Sequence, residues 1–316
     1  MEAVPAAVSN IAEVRRVGGT RGKLSNNGPL LMLGASLCFA LMGLCVKFVT
    51  TPPGGAFPSI PVAEIVFWRS GIATLVALAV GWPERGKLGG VSRRMLVTRS
   101  LVGLASMYAY FFAISRLKLG DAVLLTYLSP LLVATMAPFV LREKASKAVW
   151  LALGVGFAGV AVVEEPSGFV ANLGLLAGLA SAFLAASAYI SVKVLSRTDT
   201  TSTIVLWFSG IATVVSGIHV IAGGSWVTPV LPAFVALVGL GLFAALAQLM
   251  MTRAYSVSAA ARVSVFGYAT PVIAYVLGQA ILAEPIGWRG AIGCGLLVVA
   301  GALVTWLSSE SRPRPA

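Results

Sequence analysis

Residues 68–76 read Trp68-Arg69-Ser70-Gly71-Ile72-Ala73-Thr74-Leu75-Val76, and residues 207–215 read Trp207-Phe208-Ser209-Gly210-Ile211-Ala212-Thr213-Val214-Val215. Seven of the nine positions agree at a spacing of 139 residues. Apolar alphabets are small, so one such run inside two apolar segments carries little alone. The flanks repeat as well. Ala113 and Ser115 recur as Ala254 and Ser256, Tyr127 and Pro130 as Tyr268 and Pro271, Leu141 and Glu143 as Leu282 and Glu284, and Gly154 as Gly295. One half-protein is written twice.

The 316 residues are 58% hydrophobic and 11% charged. A water-soluble domain carries roughly 25% charged residues. Apolar stretches of about 20 residues follow one another, each long enough to cross a hydrocarbon core. The fold class expected is an all-α polytopic membrane protein. Ten spans are read at 30–50, 61–82, 95–115, 119–141, 147–164, 171–194, 201–222, 231–252, 258–281 and 286–308. The first repeat is 30–164 and the second 171–308, flanked by a basic tail at 1–29 and a short tail at 309–316. Five spans per half is odd. The halves therefore enter the membrane in opposite senses, as inverted repeats about an axis in its plane.

The net charge of +12 does not point to nucleic acid, because the basic residues fall in short loops between spans. They set orientation instead. With the N-terminus inside, Arg15, Arg16, Arg21, Lys23, Arg85, Lys87, Arg93, Arg94, Arg142, Lys144, Lys147, Lys193, Arg197, Arg253, Arg262, Arg312 and Arg314 are inside. Only Lys47, Arg116, Lys118 and Arg289 are outside. Both termini are expected in the cytoplasm, and the partners are the bilayer and a small-molecule substrate, with the chain monomeric or homodimeric. Cys38, Cys45 and Cys294 have no metal-ligand spacing. No cofactor is expected, nor any catalytic residue, because no nucleophile–base cluster stands in the loops.

Small residues on spans 5, 6 and 10 (Gly154, Gly156, Gly159, Gly174, Gly178, Gly290, Gly293 and Gly295) are expected to let helices approach closely. Pro130 and Pro271 are expected within spans 4 and 9, each removing a helix bond and kinking its helix. Their equivalence makes them candidate hinges.

The run Ala113-Ile-Ser-Arg-Leu-Lys-Leu-Gly-Asp-Ala122, then Tyr127-Leu-Ser-Pro130 and Leu141-Arg-Glu143, resembles the drug/metabolite transporter superfamily of the EamA type. Ala254-Tyr-Ser256, Tyr268-Ala-Thr-Pro271 and Leu282-Ala-Glu-Pro285 echo it in the second half. The resemblance spans residues 30 to 308. It implies a cavity lined by spans 1–4 and 6–9, peripheral spans 5 and 10, and carriage of small organic metabolites.

Arg69 is the sharpest candidate. It lies ~12 Å into span 2 by helical rise, where a charge costs at least about 2.5 kcal/mol. It either meets an anionic substrate or pairs with Glu64 or a backbone carbonyl. Glu64 itself either pairs with Lys47 as a gate or snorkels. Arg99 is expected to snorkel to the inner surface. Trp68, Trp207, Tyr127 and Tyr268 are candidates for stacking a planar or amphipathic substrate, and Gln248 and Gln279 for hydrogen bonding to it. The favoured reading is an alternating-access carrier for an amino acid or related carboxylate in a bacterial-type inner membrane. The alternatives are an uptake carrier for a vitamin or nucleoside-like cofactor, of the riboflavin or S-adenosylmethionine type, and a channel.

Overall fold

The computed structural model describes residues 27–50, 52–116, 125–143, 145–164, 173–224, 226–282 and 288–310. They form helices α1 Asn27–Thr50, α2 Val62–Gly81, α3 Arg93–Arg116, α4 Ser129–Val140, α5 Lys147–Glu164, α6 Leu173–Leu195, α7 Thr201–Gly223, α8 Leu231–Val257, α9 Ala260–Phe266, α10 Ala269–Leu282 and α11 Trp288–Glu310. No strand occurs among the described residues. Helices α1 to α8 correspond to spans 1 to 8, α9 and α10 together to span 9, and α11 to span 10. The end of the bundle where α1 begins is called the near end, the other the far end.

The packing pairs obey the duplication. Helix α1 lies along α8 as α3 lies along α6, and α5 packs on α11 at the periphery. Helices α2 and α7 cross one another. At their crossing Thr74 Oγ1 and Thr213 Oγ1 are 3.3 Å apart, two residues separated by the 139-residue repeat. A residue touching its own repeat counterpart marks where a two-fold axis passes. The same happens between Tyr127 and Tyr268, whose rings are 6.1 Å apart. The fold is thus two inverted five-span repeats.

Spans 4 and 9 are broken rather than kinked. The chain leaves helical bonding at Tyr127-Leu128 and at Gly267-Tyr268. Pro130 and Pro271 stand in the first turns of α4 and α10, just beyond each break. This corrects the expectation of mid-helix kinks. Proline belongs in a helix's first turn, where its missing N–H would be unpaired anyway. Gly267 O, denied a donor by Pro271, accepts from Thr270 N at 3.1 Å. Asp121 and Glu284 lie outside the described residues.

The glycine expectation divides. A Cβ at Gly159 would stand 2.9 Å from Gly293 O on α11, and one at Gly156 2.5 Å from the Tyr268 ring. Around Gly154 and Gly295 nothing comes within 4 Å, so these two do not serve close packing. Gly159→Ala is predicted to force α5 from α11 and lower the melting temperature of the detergent-purified protein by several degrees. Gly154→Ala should leave it level or raise it, since alanine is the better helix former by ~1 kcal/mol. Equal melts for the two variants would refute this packing.

Candidate functional site

The α2–α7 pair fixes the site because the same residues in each copy reach the other copy's loop. Glu64, at the start of α2, is fully buried and accepts from Val227 N at 2.9 Å. Its repeat counterpart Thr203 donates to Lys87 O at 3.2 Å. Trp207 Nε1 donates to Leu88 O at 3.2 Å. Its counterpart Trp68 packs against Trp226, centroids 6.2 Å apart, and donates Nε1 to Glu64 Oε1 at 3.3 Å. Each tryptophan is therefore held by the opposite copy's loop, Trp68 toward the far end and Trp207 toward the near end. Each is six residues from the crossing, so they are about 18 Å apart along the bundle. The structure does not bring them together as one stacking platform. Glu64 Oε1 accepts from Trp68 and Oε2 from Val227 N, and Lys47 is exposed in the last turn of α1.

Tyr127 and Tyr268 do meet. Tyr268 is buried and donates its hydroxyl to Tyr127 O at 3.3 Å. Their rings stand at the two helix breaks. Gln248 is buried with Oε1 lacking a hydrogen-bond partner. Gln279 lies on α10, with its side chain outside the described residues.

Arg69 is half-buried, with Nη1 3.7 Å from Met107 Sδ on α3, a weak contact for a cation. Arg99 overturns its expectation. It is 3% exposed, so it does not snorkel, and its guanidinium carbon lies 4.1 Å from the Phe208 ring centroid. Its Nε and Nη1 have no hydrogen-bond partner. The room comes from Gly103, one turn on, where a Cβ would stand 3.1 Å from both Arg99 Nη1 and the Phe208 ring. Phe208 is the repeat counterpart of Arg69. Where one copy places a cation, the other places the ring on which α3 rests a second cation. Tyr189 stacks on Tyr255, centroids 5.4 Å apart. Among the described residues, the ion pairs join Lys87 to Glu84 and Lys193 to Glu143, and neither arginine. Sequence reasoning, which expected Arg99 to snorkel, did not place it among the candidate site residues. The Arg99/Gly103 spacing, which gives a long cation a small neighbour one turn on, is the signal that points to Arg99.

At the near end a second set of contacts ties the copies. Lys193 is buried, not a loop charge as its sequence position suggests. Its Nζ donates to Ser258 O at 2.7 Å and lies 3.8 Å from Glu143 Oε1. Glu143 Oε2 accepts from Ala260 N at 3.0 Å, capping α9. Asp199 accepts from Val91 N at 2.7 Å.

The EamA-like transporter family model matches residues 26–164 and 172–306. The pseudopaline exporter CntI of Pseudomonas aeruginosa is 32% identical over 246 residues, covering 78% of this chain and 84% of that protein. A riboflavin transporter of Vibrio cholerae is 27% identical over 296 residues, covering 90% and 95%. A solved crystal structure superposes with a TM-score of 0.79 at 21% identity, over 91% of this chain and 99% of that one, which shows the fold.

Lys193→Met and Glu143→Gln are each predicted to lower the melting temperature, and the double variant to lose less than their sum. The coupling expected is about 1 kcal/mol, read as a double-mutant cycle in detergent. Strict additivity would dissolve the clasp.

Proposed function

This chain belongs to the EamA-like transporter family, and on that footing we propose a secondary carrier that moves a small anionic metabolite, an amino acid or related carboxylate, by alternating access. That it is a multi-pass membrane transporter of small metabolites follows from the family and its relatives. The single observation that carries the finer reading is the pair Arg69 and Arg99, two guanidiniums inside the bundle with no carboxylate of the described residues paired to them. A charge inside a membrane bundle is expensive and marks a substrate path by default. Arginine suits it, because the planar guanidinium offers parallel N–H bonds to a carboxylate.

The two ends support the alternating part of the reading. Glu64–Val227 ties the copies at the far end, and the Glu143–Lys193–Ser258 clasp with Asp199–Val91 ties them at the near end. Breaking one set while making the other opens the site to one side at a time. The helix breaks before Pro130 and Pro271 are the flexible points in this scheme. The basic loops favour a near end that faces the cytoplasm, with both termini there. Glu64 serves as a tie with both oxygens occupied, which favours exchange or facilitated diffusion over proton symport.

A second reading draws on the riboflavin transporter relatives and on the paired Tyr127 and Tyr268 rings, which suit a planar ring substrate. One experiment separates the two. The purified protein is melted with amino acids, carboxylates and riboflavin, and the series is repeated with Arg69→Gln. Carboxylates are predicted to raise the melting temperature by several degrees, with most of that gain lost in the variant. Riboflavin as the best stabiliser, unaffected by Arg69→Gln, would favour the second reading. In proteoliposomes the same compound should enter saturably and faster against an internal pool. An ohmic current without saturation would make the protein a channel.

A further inference from the structure

We propose that the substrate carries two acidic groups, one bound by Arg69 and the other by Arg99. This deepens the anionic-substrate reading and rests on it. The argument starts from the hydrogen-bond inventory of Arg99. Its Nε and Nη1 carry three N–H bonds and have no acceptor among the described residues. The Phe208 ring covers one face of the guanidinium at 4.1 Å. Nε and Nη1 are buried in this conformation, so an acceptor reaches them only as the bundle opens.

Among the described residues, the side-chain hydrogen-bond contact of Arg69 is the weak one with the Met107 sulfur. One acidic group suffices for one of these cations and leaves the other buried and uncompensated, which is the costly arrangement. Two acidic groups on one molecule settle both.

Helix α3 measures the spacing. Arg99 Nη1 lies against Gly103, and Arg69 Nη1 against Met107. These positions are four residues apart on one face of α3, about 6 Å. The fit is to a short dicarboxylate or an acidic amino acid, whose acid groups are separated by a few carbons. Gln248 stands at the repeat position of Met107, by the 141-residue offset that relates Ala113 to Ala254. Its Oε1 and the hydroxyl of Thr252, one turn along α8, are buried and unpartnered. They are a further unpartnered acceptor and hydroxyl inside the bundle.

The test melts the full chain in detergent with glutarate, L-glutamate and butyrate at matched millimolar concentration and ionic strength. The unmodified chain, Arg99→Met and Arg69→Met are compared. Glutarate and glutamate are expected to stabilise the unmodified chain at least twice as much as butyrate does. In Arg99→Met the diacid shift should fall to the butyrate level while the butyrate shift stays. Without ligand, Arg99→Met should melt at or above the unmodified chain, because a buried unpaired charge has gone. Equal shifts by diacid and monoacid in the unmodified chain, no diacid shift at all, or a full diacid shift in Arg99→Met would overturn the two-acid proposal. So would a ligand-free Arg99→Met melting several degrees low, since that makes Arg99 a structural clamp. No shift by butyrate or by either diacid in the unmodified chain would instead sink the underlying carboxylate reading.

Discussion

The crossing of α2 over α7 is the contact from which the rest of the bundle follows. Thr74 and Thr213 meet there across the two-fold axis at 3.3 Å. Antiparallel copies crossing at equivalent residues must send their helix starts to opposite ends. That is why Glu64 and Trp68 reach the loop after α7, while Thr203 and Trp207 reach the loop after α2. Lipid supplies no hydrophobic drive between helices. Of the two glycines common to both runs, a Cβ at Gly210 would have nothing within 4 Å. Gly71 faces Thr213 directly, a Cβ there standing 3.8 Å from its methyl.

The duplication is not perfect, and it departs from symmetry at the arginines. Position 69 is arginine and position 208 phenylalanine. Strict symmetry would have put two cations on the axis-related sites of α2 and α7. The chain instead places the second cation on α3, as Arg99, and lays it on the Phe208 ring. A cation over a ring recovers only part of the hydration it has lost, about 2 kcal/mol or somewhat more when desolvated. On the proposed reading, the remainder of its interaction is left for an anion.

Most of the architecture was legible in the sequence because the axis demands particular side chains twice. The paired Trp, Ser, Gly, Ile, Ala and Thr of the two runs, and the Tyr–Pro pairs, are where the copies touch or break. Exact helix ends were less legible. Pro130 and Pro271 announced a break, but its place before them depends on Gly267 and on backbone bonds such as Thr270 N to Gly267 O. Arg99 was misread because depth along a helix says nothing about face. Its burial is decided by Phe208 and by the glycine at 103, and the first of these lies more than a hundred residues away in sequence. Lys193 was misread for the same reason. The carbonyls that bury it, Ser256 and Ser258, stand at the C-terminal end of α8, far along the chain. Charge counting treats such a lysine as a loop residue, and only packing shows otherwise.

The claim on which everything rests is that two inverted copies meet at Thr74 and Thr213. A variant with Cys38, Cys45 and Cys294 replaced by serine, cysteines at 74 and 213, and a protease site at 165–172 tests it directly. After oxidation and cleavage, the account predicts that the halves migrate together on a denaturing gel and separate on reduction. Halves that separate without reduction, while a cysteine pair at 106 and 181 also fails to join them, would contradict the fold described here.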